Sequence, residues 1–179
     1  VVVSDMSRCV RALRVVVGTA VLMLCNNCLG AAPTESTATT PDASKFTALV
    51  DGTRWRPISY VFSPNQYGGF SLFATDIFGP NRFSVSLSVG HVVGVGTYPL
   101  TGDVGPFDGG TASISNGTAY WGANGSGGSG TLTVTSATAT RIAGTFQFTA
   151  VPTAGFGGTR YVTEGEFDLP TQGTGFDIT

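Results

Sequence analysis

GTLTVTSATATRIAGTFQFT, residues Gly130–Thr149, decides the fold class. Leu132 and Val134 alternate with Thr131, Thr133 and Thr135, and beyond a turn Ile142, Phe146 and Phe148 alternate with Thr145, Gln147 and Thr149. Two period-two runs rich in β-branched and aromatic residues predict a hairpin with one buried face and one wet face.

The same pattern extends both ways from this hairpin. Downstream, RYVTEGEFDLP (Arg160–Pro170) predicts a strand with Tyr161, Phe167 and Leu169 inward and Glu164, Glu166 and Asp168 outward. Upstream, Phe83, Val85, Leu87 and Val89 alternate with serines. FTALVDGTRW (Phe46–Trp55) holds Asp51-Gly52, which suits a type I′ turn. Pairing Val50 with Thr53 then puts Phe46, Ala48, Val50 and Trp55 on one face. That company assigns Trp55 to the core rather than to a sugar-stacking platform. A second two-residue turn is expected at Asn116-Gly117, opposing Ala112 to Trp121 and Ser113 to Tyr120. Trp121 then shares the apolar face with Ile114, and Tyr120 points to the polar side. Nine or ten short strands separated by turn signals predict an all-β domain, an antiparallel meander forming a β-sandwich or barrel.

Composition agrees with this class. Only 11% of the 179 residues are charged and 26 are glycine, which disfavours long helices. The net charge of −2 and the lack of a basic patch argue against nucleic acid as a partner.

The first 30 residues read as an export leader. Arg8, Arg11 and Arg14 precede the apolar run Val15–Leu24, whose ten residues are too few for a spanning helix; Met6 is a candidate start. Two processing routes stay open. Lipidation would fall on Cys25 or Cys28, although Leu24 and Asn27 stand where a small residue is expected; ordinary cleavage would fall near Gly30-Ala31-Ala32. Residues 31–44 form a Thr-, Ser- and Pro-rich tether, and residues 45–179 the single β-domain. The expected location is the bacterial cell envelope, with membrane contact only through the possible lipid anchor.

Candidate chemistry is sparse. The three cysteines all lie in the leader and His91 is the only histidine, so no thiol nucleophile, disulfide or zinc set is expected in the domain. No Gly-x-Ser-x-Gly elbow accompanies His91, and the glycine-rich run Gly122–Gly130 lacks a P-loop ending. No metal or cofactor is expected. Solvated charge guarding an edge strand is the expected role of Glu164, Glu166 and Asp168. Tyr98, Tyr120 and the loop carboxylates Asp103 and Asp108 are the candidate contact residues.

Several spaced motifs resemble a family of uncharacterised bacterial envelope proteins, mostly predicted lipoproteins with one domain of unknown function. They are Phe46-x-Ala48-x-Val50-Asp51-Gly52-x-x-Trp55, Gly96-Thr97-Tyr98-x-Leu100, Gly130-x-Leu132-Thr133-Val134-Thr135, Ile142-x-Gly144-Thr145-Phe146-x-Phe148 and Glu164-Gly165-Glu166-Phe167. The resemblance covers most of residues 46–169. It implies an exported β-domain and brings no catalytic residues.

Three functional readings follow. The first is a non-enzymatic domain binding an envelope component or glycan, or serving in assembly. The second is a polysaccharide-acting enzyme with two carboxylates in a cleft. The third is a barrel holding a small apolar ligand.

Overall fold

The computed structural model describes residues 44–78, 82–102, 109–124, 127–154 and 157–171. The leader with Cys25 and Cys28, and the loop holding Asp103 and Asp108, lie outside the described residues.

Eleven strands and no helix make up the described chain: β1 (Lys45–Val50), β2 (Thr53–Trp55), β3 (Ser59–Pro64), β4 (Phe70–Thr75), β5 (Ser84–Val89), β6 (Gly96–Leu100), β7 (Gly110–Ser115), β8 (Tyr120–Ala123), β9 (Ser129–Ala137), β10 (Arg141–Ala154) and β11 (Arg160–Pro170). They form one sheet in the order β2-β1-β11-β10-β9-β6-β7-β5-β4-β3, and β8 bridges β10 and β7. The ring β9-β6-β7-β8-β10 therefore closes on itself, which makes the fold a barrel. The two free edges, β2 and β3, are consecutive in the chain. The Tyr60 hydroxyl on β3 donates to Ser44 Oγ beside β1 at 2.6 Å across the seam between them.

The meander holds over β3-β4-β5 and β9-β10-β11. Between them β6 leaves β5, pairs with β9 and touches β7 in parallel. The glycine-punctuated run Gly90–Gly96 carries the chain away, so β7 takes the place beside β5.

Inward residues of alternate strands meet as one core. Phe46 packs edge-on against Trp55 with centroids 5.9 Å apart, and Phe146 lies 5.3 Å from Phe46 and 6.5 Å from Phe167. Phe167 on β11 reaches Phe70 on β4 at 6.4 Å, and Phe70 stacks on Phe62. These rings tie the two wings of the sheet together, where offset and tilted aromatic pairs add to plain area burial.

The Asp51-Gly52 turn is as predicted. Both residues have positive φ (50° and 78°), and Val50 pairs with Thr53 and Ala48 with Trp55. The second hairpin differs. Ser115 pairs with Tyr120 and Ile114 with Trp121, so the loop has four residues rather than two. The Asn116 side chain explains this, since its Oδ1 accepts from the Thr118 and Ala119 amides at 3.2 and 2.9 Å and holds a wider turn. The register moves by two, which preserves each side chain's face. Trp121 is buried and Tyr120 exposed, as expected.

β11 departs from simple alternation. Thr47 pairs with Glu166 and Leu49 with Thr163, so two steps on β1 oppose three on β11; β10 sees the same slip between Phe146 and Phe148. This is a β-bulge, and Glu164 sits in it at φ 49°. Gly165 permits the close approach, because a Cβ there would lie 2.4 Å from the Phe146 carbonyl oxygen and 2.6 Å from its ring. Upstream of the bulge the facing is reversed. Val162 is buried, and Tyr161, predicted inward, is 56% exposed.

Candidate functional site

The outer face of β9, β10, β11 and β1 carries polar side chains in cross-strand rows. One row runs Thr97, Thr133, Thr145, Glu166, Thr47 over five strands. Thr97 and Thr133 share a hydroxyl hydrogen bond of 2.9 Å. The next row pairs Thr131 with Gln147, and the third joins Ser129, Thr149 and Tyr161. The rows arise from alternation itself, because burying Leu132, Val134, Phe146 and Phe148 turns the threonines between them outward.

The bulge falls in the middle row. There Thr163 and Glu164, both exposed, oppose the single Gln147. A non-glycine residue at positive φ is strained by about 1–3 kcal/mol, and such residues cluster where a side chain is held for binding or catalysis. Here Glu164 lines a depression of about 410 Å³ together with Thr47, Arg54, Thr131, Thr133, Thr145, Gln147 and Glu166. A second depression, of about 280 Å³, shares Thr131 and Gln147 with the first and continues past Thr149 and Thr163 to Tyr161. Together they form one groove along β10. One end carries Glu164, Glu166 and Arg54, the middle carries hydroxyls and the Gln147 amide, and the other end carries an exposed phenol.

Glu166 is not free in this groove, since Lys45 Nζ lies 2.6 Å from its Oε2 and both side chains are about half exposed. Asp168, next along the strand, accepts from Arg141 Nε at 2.5 Å and lies outside the groove lining. The row of three carboxylates thus divides into one paired structurally, one tied to lysine and one held at the bulge.

The candidate contact residues fare differently. Tyr98 is in the interior, a correction to its expected place on a contact surface. Alternation along β6 turns Thr97 and Pro99 outward and Tyr98 and Leu100 inward. Its hydroxyl accepts from the Val93 amide at 3.2 Å and donates to the Gly94 carbonyl at 2.8 Å. Tyr120 is 44% exposed and lines a shallow depression with Ser115, Gly117, Thr118 and Ala119, apart from the groove. Sequence reasoning missed Tyr161, Gln147, Thr163 and Arg54. The one local signal was Gly165 inside a strand, which marks a bulge.

Fold and groove together define a class: an all-β barrel protein with a polar, tyrosine-ended groove on its outer wall. Comparison with protein-family models, curated proteins and solved structures finds no match to the chain.

Proposed function

We propose that this chain is an exported bacterial envelope protein that binds a glycan, without cleaving it, along the outer groove of β9–β11. The observation that carries the reading is the groove itself, in which hydroxyls, an amide and charged groups line a path ending at exposed Tyr161. Sugars present hydroxyls for such groups and a C–H face for an aromatic ring, and the open, shallow form suits a chain that passes along the surface. The leader pattern supports export, and the order of the motifs supports kinship with the envelope family named above. Aromatic packing through the barrel interior weighs against an apolar cargo. The tie between Glu166 and Lys45 weighs against a free carboxylate pair.

Native gels cast with soluble polysaccharides (xylan, mixed-linkage glucan, mannan) or with solubilised peptidoglycan test the proposal. At least one should retard the protein, and Tyr161→Ala or Gln147→Ala should abolish the retardation while leaving the urea midpoint unchanged. Unaltered mobility in every gel overturns the reading. New reducing ends in the incubated samples would replace binding with hydrolysis.

A further inference from the structure

The outer walls of the barrel carry many Ser and Thr side chains, and several apolar ones stand exposed among them. Ile58, Ile77 and Phe78 are 57%, 55% and 81% exposed. The fold brings their backbones to one end of the β3–β4 pair, where Ile58 also borders a depression against Ser44, Lys45 and Phe46. The Ile58 amide donates to the Thr75 carbonyl, so the start of β3 lies beside the end of β4, where Ile77 and Phe78 follow. Val61 and Phe73, also exposed, are a cross-strand pair further along the same two strands.

Cations flank this apolar tip. Arg56 precedes Ile58 by two residues. Arg82 lies across from Ile77, since the Asp76 amide donates to the Phe83 carbonyl and continues the β4–β5 register. Both arginines are exposed, and neither has an ion pair among the described residues. The nearby acid, Asp76, turns its Oδ1 toward the Phe78 amide at 3.3 Å. The other exposed apolar loop residues, Tyr67, Val93 and Val95, stand in segments 65–69 and 90–96 that contain no arginine or lysine.

We infer that the Ile58–Ile77–Phe78 tip, flanked by Arg56 and Arg82, docks the domain on an anionic lipid surface. Protruding apolar side chains enter the boundary between headgroups and acyl chains, and guanidinium groups beside them stay at the phosphates. Each cation near a charged leaflet adds to the attraction, and salt weakens it. The inference is independent of the groove.

The test places a reporter at the tip. Phe78→Trp in the full chain adds one indole at an exposed position, while Trp55 and Trp121 are buried and supply a constant background. The apolar run of the leader can itself bring the chain to a vesicle, so emission from position 78 is read rather than sedimentation. With vesicles of phosphatidylcholine and phosphatidylglycerol, the added indole should shift to the blue and be quenched by brominated acyl chains. With phosphatidylcholine alone the quenching should be weaker. Arg56→Gln with Arg82→Gln should remove that difference between the two lipids. Emission unaltered by either vesicle overturns the inference. So does a blue shift that grows with protein concentration without lipid, which would assign the tip to a second copy of the chain.

Discussion

The guanidinium carbon of Arg160 stands 4.6 Å from the centre of the Trp121 ring, and the same guanidinium donates to Asp51 Oδ2 at 2.5 Å. The indole NH donates to the Gly158 carbonyl at 2.8 Å. A buried ring, its one polar atom and its covering cation are thus joined in one cluster. In it the indole NH is satisfied, and Arg160 bonds Asp51 through one terminal nitrogen while its Nε has no hydrogen-bond partner among the described residues. Trp121→Ala should destabilise the protein by about 3–5 kcal/mol. Tyr120→Ala, one residue away on the wet face, should cost less than about 1 kcal/mol. Paired urea melts check this ordering, and the reverse would mean a register slipped by one.

Asp51 does two separable things. It accepts from Arg160, and its Oδ1 accepts from the Tyr161 amide at 3.0 Å while its backbone holds φ 50°. Asp51→Asn keeps the turn conformation and an acceptor and loses only a third-exposed ion pair, so it should cost under about 1 kcal/mol and less in high salt. Asp51→Ala loses the acceptor and tolerates positive φ poorly, and should cost about 1–3 kcal/mol at any ionic strength. Urea midpoints at low and high salt distinguish the two.

Neighbouring substitutions at the bulge should act in opposite directions. Glu164→Gly relieves a strained φ at the expense of a freer unfolded chain, giving a change between zero and about 1 kcal/mol of added stability, together with weaker glycan retention. Gly165→Ala drives a methyl into Phe146 and should destabilise by about 1–3 kcal/mol or more. Thermal melts with the polysaccharide gels read both effects. A destabilised Glu164→Gly would remove the case for strain.

Tyr98→Phe isolates a hydroxyl in the interior. Without it the Val93 amide and Gly94 carbonyl lose their partner, at about 1–2 kcal/mol. Amide exchange should quicken first at Val93, ahead of the core strands.

How much of this was legible depends on what fixes each register. The Asp51-Gly52 hairpin could be read in full, because positive φ at both turn residues leaves one way to pair the strands. At Asn116-Gly117 the loop length was hidden, since it depends on Asn116 bonding forward to Ala119, yet the faces survived a two-residue shift. On β11 they did not: counting back from Phe167 by twos crosses an extra residue that only the packing of Gly165 on Phe146 demands, and Tyr161 was put on the wrong side. The groove was illegible for a related reason. Its residues lie on five strands, β1, β2, β9, β10 and β11, and nothing in local spacing says that Gln147 faces Thr163 and Glu164.

The pairing of β1 with β11 also sets how the protein bears load. A pull on the chain ahead of Ser44 enters at β1, and β1 hands it to β11 through the register from Lys45–Asp168 to Val50–Val162. Most of the groove lies on β11 and the two strands beyond it. Tension between that part of the groove and the chain ahead of Ser44 therefore runs through one strand pair, reinforced near its start by the diagonal bridge from Lys45 to Glu166. The wing of β3, β4 and β5 meets that line through the Tyr60–Ser44 hydrogen bond and is not part of the β1–β11 register, so it can remain folded while that pair yields.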